Sequence, residues 1–212
     1  MHPNPIFRRR DRAAHLEMAR DRGFGVLTLG QGDRPLAAHL PFLLSDDGLW
    51  LEAHMARSNP VLRELDEPRE ALLVVNGPDA YISPDWYGVE DQVPTWNYTA
   101  VHLRGPLERC PQEELRPHLR RLSDAFETRL GPKPVWRLDK VGAEALARLE
   151  RMIVPVRMHV REVDGTWKLS QNKPDAARHG AADGVAGGTP GLETGRIAEM
   201  MADLPPDATD PA

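Results

Sequence analysis

The stretch that decides the fold is 24–55, FGVLTLGQGDRPLAAHLPFLLSDDGLWLEAHM. It contains three runs typical of β-strands, at 24–29, 35–44 and 49–55. Two turn sequences separate them, Gly-Gln-Gly-Asp at 30–33 and Ser-Asp-Asp-Gly at 45–48. Glycine accepts the positive φ that tight hairpin turns require at little cost. Strands joined by hairpins pair antiparallel, so the stretch predicts an antiparallel sheet.

Further strand patterns follow on both sides of a helical region. A continuous apolar run at 71–76 and alternating patterns at 98–110 and 153–163 predict strands. Asp164-Gly165 is typical of a tight turn, with 166–171 pairing back. The fold class predicted is therefore mostly β (α+β), a six- to seven-stranded antiparallel barrel with flanking helices.

Helices are predicted at 11–22, at 111–130 and at about 143–152, with a helical turn at 59–65. The helices at 111–130 and about 143–152 form an insertion of about 111–152 within a domain covering 1–174. From Asp175 onward Gly and Ala dominate, which predicts a flexible C-terminal extension over 175–212. Within it, 192–204 is a possible short helix, and the final PPDATDPA is expected to be disordered.

Composition excludes several classes of protein. The 212 residues carry a formal charge of −5, so the whole chain does not present a nucleic-acid-binding surface. Only 1–22 is locally basic, with a net charge of +3. The single cysteine excludes an internal disulfide framework and a thiolate zinc cage. Without a signal-peptide pattern or a membrane-spanning run, the expected location is cytoplasmic.

The aromatic residues concentrate in 81–98, YISPDWYGVEDQVPTWNY, which holds all three tyrosines together with Trp86 and Trp96. Pro84 and Pro94 predict irregular backbone in this window. Large rings with polar edges suit the binding of a flat, polar-edged molecule or a partner surface. A rigid loop that plugs one end of the barrel is an equal alternative.

A first candidate anion site is His54-Met55-Ala56-Arg57-Ser58-Asn59-Pro60, where a strand ends and a helical turn begins. Unpaired amides at a helix start favour anions, and Arg57 adds a charged fork. The alternative is that Ser58 or Asn59 simply caps the turn.

A second donor-rich segment is Trp167-Lys168-Leu169-Ser170-Gln171-Asn172-Lys173-Pro174. Its lysines, hydroxyl and carboxamides could hold a phosphate and a sugar-like hydroxyl chain; a solvated strand end is the alternative. Thr95, Asn97 and Ser83 could bind the edge of a heterocycle. These three sites suit a ligand with an anionic end, a polar tether and a flat ring. FMN has these parts, but a phosphorylated cofactor such as pyridoxal phosphate would suit similar sites.

Taken together, five stretches resemble the PaiB-type family of FMN-binding negative transcriptional regulators. They are Ala38-His39-Leu40-Pro41-Phe42, the 54–60 segment, Tyr81-Ile82-Ser83-Pro84-Asp85-Trp86-Tyr87, Val93-Pro94-Thr95-Trp96-Asn97-Tyr98, and 167–173. They run in family order across about 1–185. The departure from the family is at the C-terminus, where the expected closing helices are weakly encoded.

The resemblance implies a split β-barrel related to flavin reductases and pyridoxamine phosphate oxidases. It also implies a homodimer with FMN between the subunits and a role in repressing genes, in bacteria for sporulation and protease synthesis. An FMN-dependent oxidoreductase similar to flavin reductases is the alternative function. Direct nucleic-acid binding is possible but not supported by the net charge. The resemblance assigns the cofactor to His54, Arg57, Ser58, Asn59, Thr95, Trp96, Asn97, Lys168, Ser170, Gln171, Asn172 and Lys173.

Overall fold

A computed structural model describes residues 1–205 of the chain and has an α+β fold. The strands are β1 Phe24–Gln31, β2 Arg34–Leu44, β3 Trp50–Ala56, β4 Arg69–Ile82, β5 Thr95–Arg109, β6 Ile153–His159, β7 Glu162–Lys168 and β8 Gly191–Leu192. The helices are α1 Arg12–Arg22, α2 Pro60–Arg63, α3 Leu115–Glu127, α4 Ala143–Glu150, α5 Asp175–Ala186 and α6 Thr194–Ala202.

The strands are hydrogen-bonded in the order β7-β5-β6-β3-β2-β1-β4-β8, and β5 also pairs with β4. The predicted antiparallel pairing is confirmed, for example between β1 and β2 and between β3 and β6. The sheet has eight strands rather than six or seven because β8 is only two residues long, which is too short to leave a sequence pattern. Within 1–205 no helix is long and apolar enough to span a membrane.

The chain divides into two compact units. Unit 1 comprises Met1–Met18, Asn76–His102 and the chain from Asp164 onward; unit 2 comprises Ala19–Val75 and Leu103–Val163. The stretch 24–55, which decides the fold, lies in unit 2. Its second turn, at 45–48, forms as predicted: the amide of Ser45 donates to the carbonyl of Trp50 (2.8 Å), and Gly48 has a φ of +69°.

The Gly- and Ala-rich segment after Asp175 forms helix α5 where composition predicted a linker. Ala177, Ala181 and Val185 of α5 are buried, together with Ile197 and Met201 of α6, in the core of unit 1. Glycine is needed on α5 for close packing: a Cβ at Gly184 would lie 2.3 Å from the ring of Trp86, and one at Gly180 would lie 2.6 Å from its carbonyl oxygen.

The short helix expected within 192–204 is present as α6. The domain boundary between 174 and 175 stays a prediction. Apart from Pro205, the tail that was expected to be disordered lies outside the described residues.

The turn prediction at Asp164-Gly165 is wrong, because β7 runs through both residues. The strand predicted at 153–163 ends at His159, and the strand predicted at 166–171 ends at Lys168 and pairs with β5. Gly165 is needed for close packing and does not form a turn. A Cβ at this position would lie 2.3 Å from the imidazole of His15, which is buried against the strand. The nitrogen Nε1 of Trp167 donates to Nδ1 of this same histidine (3.1 Å).

The aromatic window 81–98 is only partly irregular. Tyr81 belongs to the end of β4, and Thr95 to Tyr98 begin β5. The irregular part is 83–94, which contains a 3-10 helix, Pro84–Tyr87, closed by Gly88 at a φ of +62°. Two of the exposed or half-buried rings, Trp96 and Tyr98, therefore stand on a strand, and a strand holds them in a more fixed direction than a loop would.

Candidate functional site

The donor-rich strand end after β7 is held in shape by its own side chains. Ser170 adopts a φ of +61°, the left-handed region that non-glycine residues seldom occupy. The carboxamide of Gln171 accepts from the amide of Leu169 (2.7 Å) and donates to the carbonyl of Trp167 (2.5 Å). Gln171 is thus a buried brace for the turn, and Asn172 is the exposed residue beside it.

Lys168, the last residue of β7, points its ammonium group at the start of β5. It donates to the hydroxyl of Thr95 and to the carbonyl oxygen of Trp96 (2.6 Å). Burial lowers the pKa of Lys168, and the positive charge of Lys173 lowers it further. The charge of Lys173 thus disfavours the charged form of Lys168, and a bound anion would offset this repulsion.

Lys173 has its own fixed position. Its ammonium group donates to the side-chain oxygen of Gln92 and lies 5.2 Å from the centre of the Tyr87 ring. A cation over a tyrosine face is attracted by the ring quadrupole. The two lysines are thus oriented by neighbours within unit 1.

A buried polar network lies beneath the same turn. The side-chain nitrogen Nδ2 of Asn97 donates to the hydroxyl of Ser170 (2.8 Å), and the hydroxyl of Tyr87 lies 2.9 Å from that same oxygen. Burial raises the pKa of Tyr87. Asn97 is fully buried, and within 1–205 its side-chain oxygen has no hydrogen-bond partner. Asn97 and Ser170 hold the turn through this network, and the cofactor contact predicted for them stays a prediction.

An open groove in unit 1 has a volume of about 610 Å³. Trp96, which is 47% exposed, forms one wall, and the ring of Tyr81 meets it edge-on at 6.1 Å between centroids. The other lining residues are Asn76, Gly77, Asp79, Tyr98, Thr99, Gly191 and Leu192. Aromatic walls with a few polar groups suit a flat heterocycle.

In unit 2, the 54–60 segment makes structural contacts that the sequence did not reveal. The guanidinium of Arg57 donates to the carbonyl oxygens of Arg151 (2.8 Å) and Ile153 (3.3 Å) and to the side-chain oxygen of Gln112 (3.0 Å). The side chain of Asn59 accepts from the amide of Val61 (3.0 Å), so Asn59 caps α2 as the alternative interpretation proposed. Ser58 is exposed.

His54 contacts a residue that sequence reasoning missed. Its Nδ1 lies 3.1 Å from Nε2 of His118 on α3, and Nδ1 of His118 lies 3.6 Å from a carboxylate oxygen of Glu52. Arg121 pairs with that carboxylate at 2.6 Å. Burial, followed by the charge of His54, lowers the pKa of His118 to about 4. No group of three metal-ligating residues suited to a metal ion occurs within 1–205.

The lowered pKa of His118 predicts an acid-sensitive unit 2. The usual pKa of 6.5 applies to the unfolded chain, which therefore binds the proton first as the pH falls. Stability present above pH 6.5 is lost progressively toward pH 4, by about 1–2 kcal/mol between pH 7 and pH 5. Urea unfolding at these pH values should show this slope, and His118→Leu should flatten it. The exposed-histidine variant His39→Leu is the matched control; equal slopes in all three proteins would contradict the prediction.

Comparison with known proteins decides the family. Residues 1–162 match the family model described as "Putative FMN-binding domain". The chain belongs to this FMN-binding family. It is 33% identical over 155 residues to the "Protease synthase and sporulation protein PAI 2" of Bacillus subtilis, covering 72% of this chain and 73% of that protein.

Two solved structures share the fold of this FMN-binding family member. One is the FAD and heme binding protein of Mycobacterium smegmatis, with a TM-score of 0.54 and 18% identity over 74% of this chain and 71% of the other. The second is the flavocytochrome Anf3 of Azotobacter vinelandii, with a TM-score of 0.57 and 14% identity over 79% and 72%. The fold is therefore similar to that of flavin-binding split barrels, and the cofactor of the family is a flavin.

The donor chemistry of unit 1 fits such a cofactor. Two lysine ammonium groups and the hydroxyl of Thr95 are the kind of donors that bind a phosphate. The Trp96 groove has walls that suit an aromatic ring system. Trp96 connects the lysine donors with the groove, since its carbonyl accepts from Lys168 and its side chain lines the groove. The family match ends at residue 162, so Lys168 and Lys173 lie beyond it.

The twelve residues predicted to bind the cofactor divide between the two units. Four lie in unit 2, namely His54, Arg57, Ser58 and Asn59. Eight lie in unit 1, and there the structure brings Lys168 to Thr95 and Asn97 to Ser170. Tyr87 and Gln92, which orient Lys173, were not predicted. Both belong to the aromatic window, and Tyr87 also ends one of the five family-like stretches, but neither fact indicates a contact with Lys173.

Proposed function

We propose that this chain is an FMN-binding homodimeric flavoprotein that acts as a negative transcriptional regulator. Membership of the FMN-binding family supports the cofactor. The five PaiB-type stretches support the regulatory role, as does similarity to a Bacillus protein whose name refers to protease synthase and sporulation. When bound, FMN would supply redox chemistry that no side chain provides.

The observation that carries the proposal is the donor set of unit 1, in which Lys168 is held by Thr95 and Trp96 and Lys173 is held by Gln92. Lys168 and Lys173 would bind the phosphate, with Thr95 donating beside them. Trp96 would cover the ring, while buried Asn97, Ser170 and Gln171 hold the turn and Asn172 lies at its exposed edge. The family resemblance adds His54, Arg57, Ser58 and Asn59 to the proposed set.

Arg57 allows a direct test of that addition. We expect Arg57→Ala to weaken FMN binding by roughly 1–3 kcal/mol, since a charged hydrogen-bonding partner is removed. The variant also loses contacts to two backbone carbonyls, so affinity must be measured by fluorescence titration at a temperature where its circular dichroism matches that of the wild type. An unchanged dissociation constant would remove Arg57 from the cofactor site and leave it a structural role.

Regulation and catalysis can be separated by two assays on the FMN-loaded protein. For a regulator we expect no NAD(P)H oxidation above a free-FMN control, together with a gel shift of promoter DNA that changes when FMN is removed. Oxidation well above the control would favour the oxidoreductase alternative. Native mass spectrometry of the same sample should give a dimer carrying two FMN molecules; a monomer would contradict the homodimer.

The N-terminal arginines are the place to test direct DNA contact. Arg8 pairs with Asp164 at 2.9 Å, and the guanidinium of Arg10 lies 5.4 Å from the centre of the Trp167 ring. These contacts already occupy part of the basic cluster. Direct binding should be salt-sensitive and lost in the triple variant of Arg8, Arg9 and Arg10→Ala.

A further inference from the structure

Unit 2 contains a second cleft, between α3 and α4, that belongs to none of the flavin-related stretches. Its volume is about 550 Å³, within the usual range for small-molecule sites. The chain between the two helices closes one side of it. The lining residues are Arg116, Arg120, Ser123, Asp124, Arg137, Leu138, Asp139, Val141, Gly142, Ala143 and Leu146.

The three arginines of this cleft differ in how far they are neutralised. Arg116 makes two hydrogen bonds to the carboxylate of Glu150, both at 2.7 Å, so its charge is compensated. Arg137 lies 3.5 Å from a carboxylate oxygen of Asp124, and both side chains are largely exposed. Arg120 is exposed and makes no hydrogen bond or ion pair with any residue of 1–205. The hydrogen bond from Arg116 lowers the pKa of Glu150, and the charge of Arg120 contributes to the same shift without a direct contact. Arg120 and Arg137 therefore have guanidinium donors available to a ligand.

Apart from the carboxylates of Asp124 and Asp139, the rest of the lining is apolar or offers further donors. Leu138, Val141 and Leu146 are half-buried and form an apolar surface. Gly142 precedes α4 and provides no side-chain acceptor for the first amides of the helix. The cleft therefore combines an apolar surface with positively charged arginines, and the arginines supply the charge that a ligand would pair with.

We propose that this cleft binds a small organic monocarboxylate with an apolar body. A guanidinium binds a carboxylate through two parallel hydrogen bonds, and the apolar surface of the cleft would contact the apolar body of the ligand. The carboxylates of Asp124 and Asp139 also line the cleft and repel additional negative charge, which favours one anionic group over several. Such a site adds a ligand-responsive element to the helical insertion and does not depend on the flavin.

The test compares benzoate with benzamide, which has the same shape without the charge. Titration of the ¹⁵N-labelled full chain at constant ionic strength should give saturable benzoate shifts at Val141, Gly142 and Ala143. Benzamide should bind at least about tenfold more weakly, because the charged hydrogen bonds are lost. The larger apolar body of 2-naphthoate should bind more tightly than benzoate.

Variants locate the ligand in the cleft. Arg120→Gln and Arg137→Gln should each weaken benzoate binding about tenfold. Asp124→Asn should tighten it several-fold, because a competing carboxylate is removed. Arg148→Gln, on α4 but outside the lining, is the matched control and should leave the dissociation constant unchanged. The proposal is overturned by shifts that stay linear with concentration, by equal binding of benzamide or of inorganic phosphate, or by an affinity that neither arginine variant alters.

Discussion

Replacing Lys168 and Lys173 together with methionine is expected to weaken FMN binding about 100-fold or more. A hydrogen bond to a charged group contributes roughly 1.5–3 kcal/mol, and tenfold in affinity corresponds to about 1.4 kcal/mol. The stability of the cofactor-free protein should change little, because the hydrogen bonds lost with Thr95, Trp96 and Gln92 are offset by relief of the desolvation and like-charge repulsion of Lys168. The loss of affinity can therefore be separated from any loss of folding.

The chain offers a matched control for this double variant. It has four lysines, and the other two, Lys133 and Lys140, are exposed in unit 2. Lys133→Met with Lys140→Met changes the net charge by the same amount and should leave the dissociation constant for FMN within about twofold of the wild type. If both double variants weaken binding equally, the effect is one of overall charge, and the assignment of the phosphate site is wrong.

Arg178→Met is expected to produce the largest loss of stability, roughly 3 kcal/mol. The side chain is 1% exposed, and its guanidinium donates to the carbonyl oxygens of Met201, Ala202 (3.4 Å) and Leu204 (3.3 Å) at the end of α6. It also pairs with Asp175 at 2.8 Å. Helix ends leave carbonyls without partners, and removal of a buried charged donor leaves them unsatisfied.

Hydrogen exchange should locate this effect. We expect fast exchange over 194–202 in Arg178→Met, together with a lower urea midpoint. Arg196→Met changes an arginine on the surface of α6 and should alter stability by less than about 0.5 kcal/mol. Protection of α6 equal to that of the wild type in Arg178→Met would contradict the capping role.

Strand pairing within 24–55 could be predicted from sequence because the local turn patterns specify it. The hairpin pairing predicted after Asp164-Gly165 was wrong, since β7 pairs with β5. The Ser45–Gly48 turn is encoded within a few residues and appears as expected. The strand predicted at 153–163 is present as β6 but ends at His159. Helix α5 could not be predicted in this way. Its glycines are determined by contact with Trp86, about a hundred residues earlier in the chain, and local composition alone resembles that of a linker. Gly165 was misread for the same reason, since His15 is its distant partner.

In the candidate site too, residue types could be interpreted from the local sequence, whereas contacts between distant residues could not. Residue types identified Lys168, Lys173 and the aromatic window as suitable for a phosphate and a ring. The roles of Asn97 and Ser170 depend on a buried network with Tyr87, which no spacing rule reveals. His118 was missed because it sits on a helix whose apolar pattern indicated only core packing. Its polar contacts with His54 and Glu52 depend on tertiary structure.

The most direct measurement is a thermodynamic cycle that compares FMN with riboflavin on the wild type and on the Lys168→Met, Lys173→Met double variant. Riboflavin has the same ring and ribityl chain but no phosphate. If the two lysines bind the phosphate, the wild type should prefer FMN by about 100-fold, and the double variant should bind both ligands about equally. A preference for FMN that survives unchanged in the double variant would contradict the account.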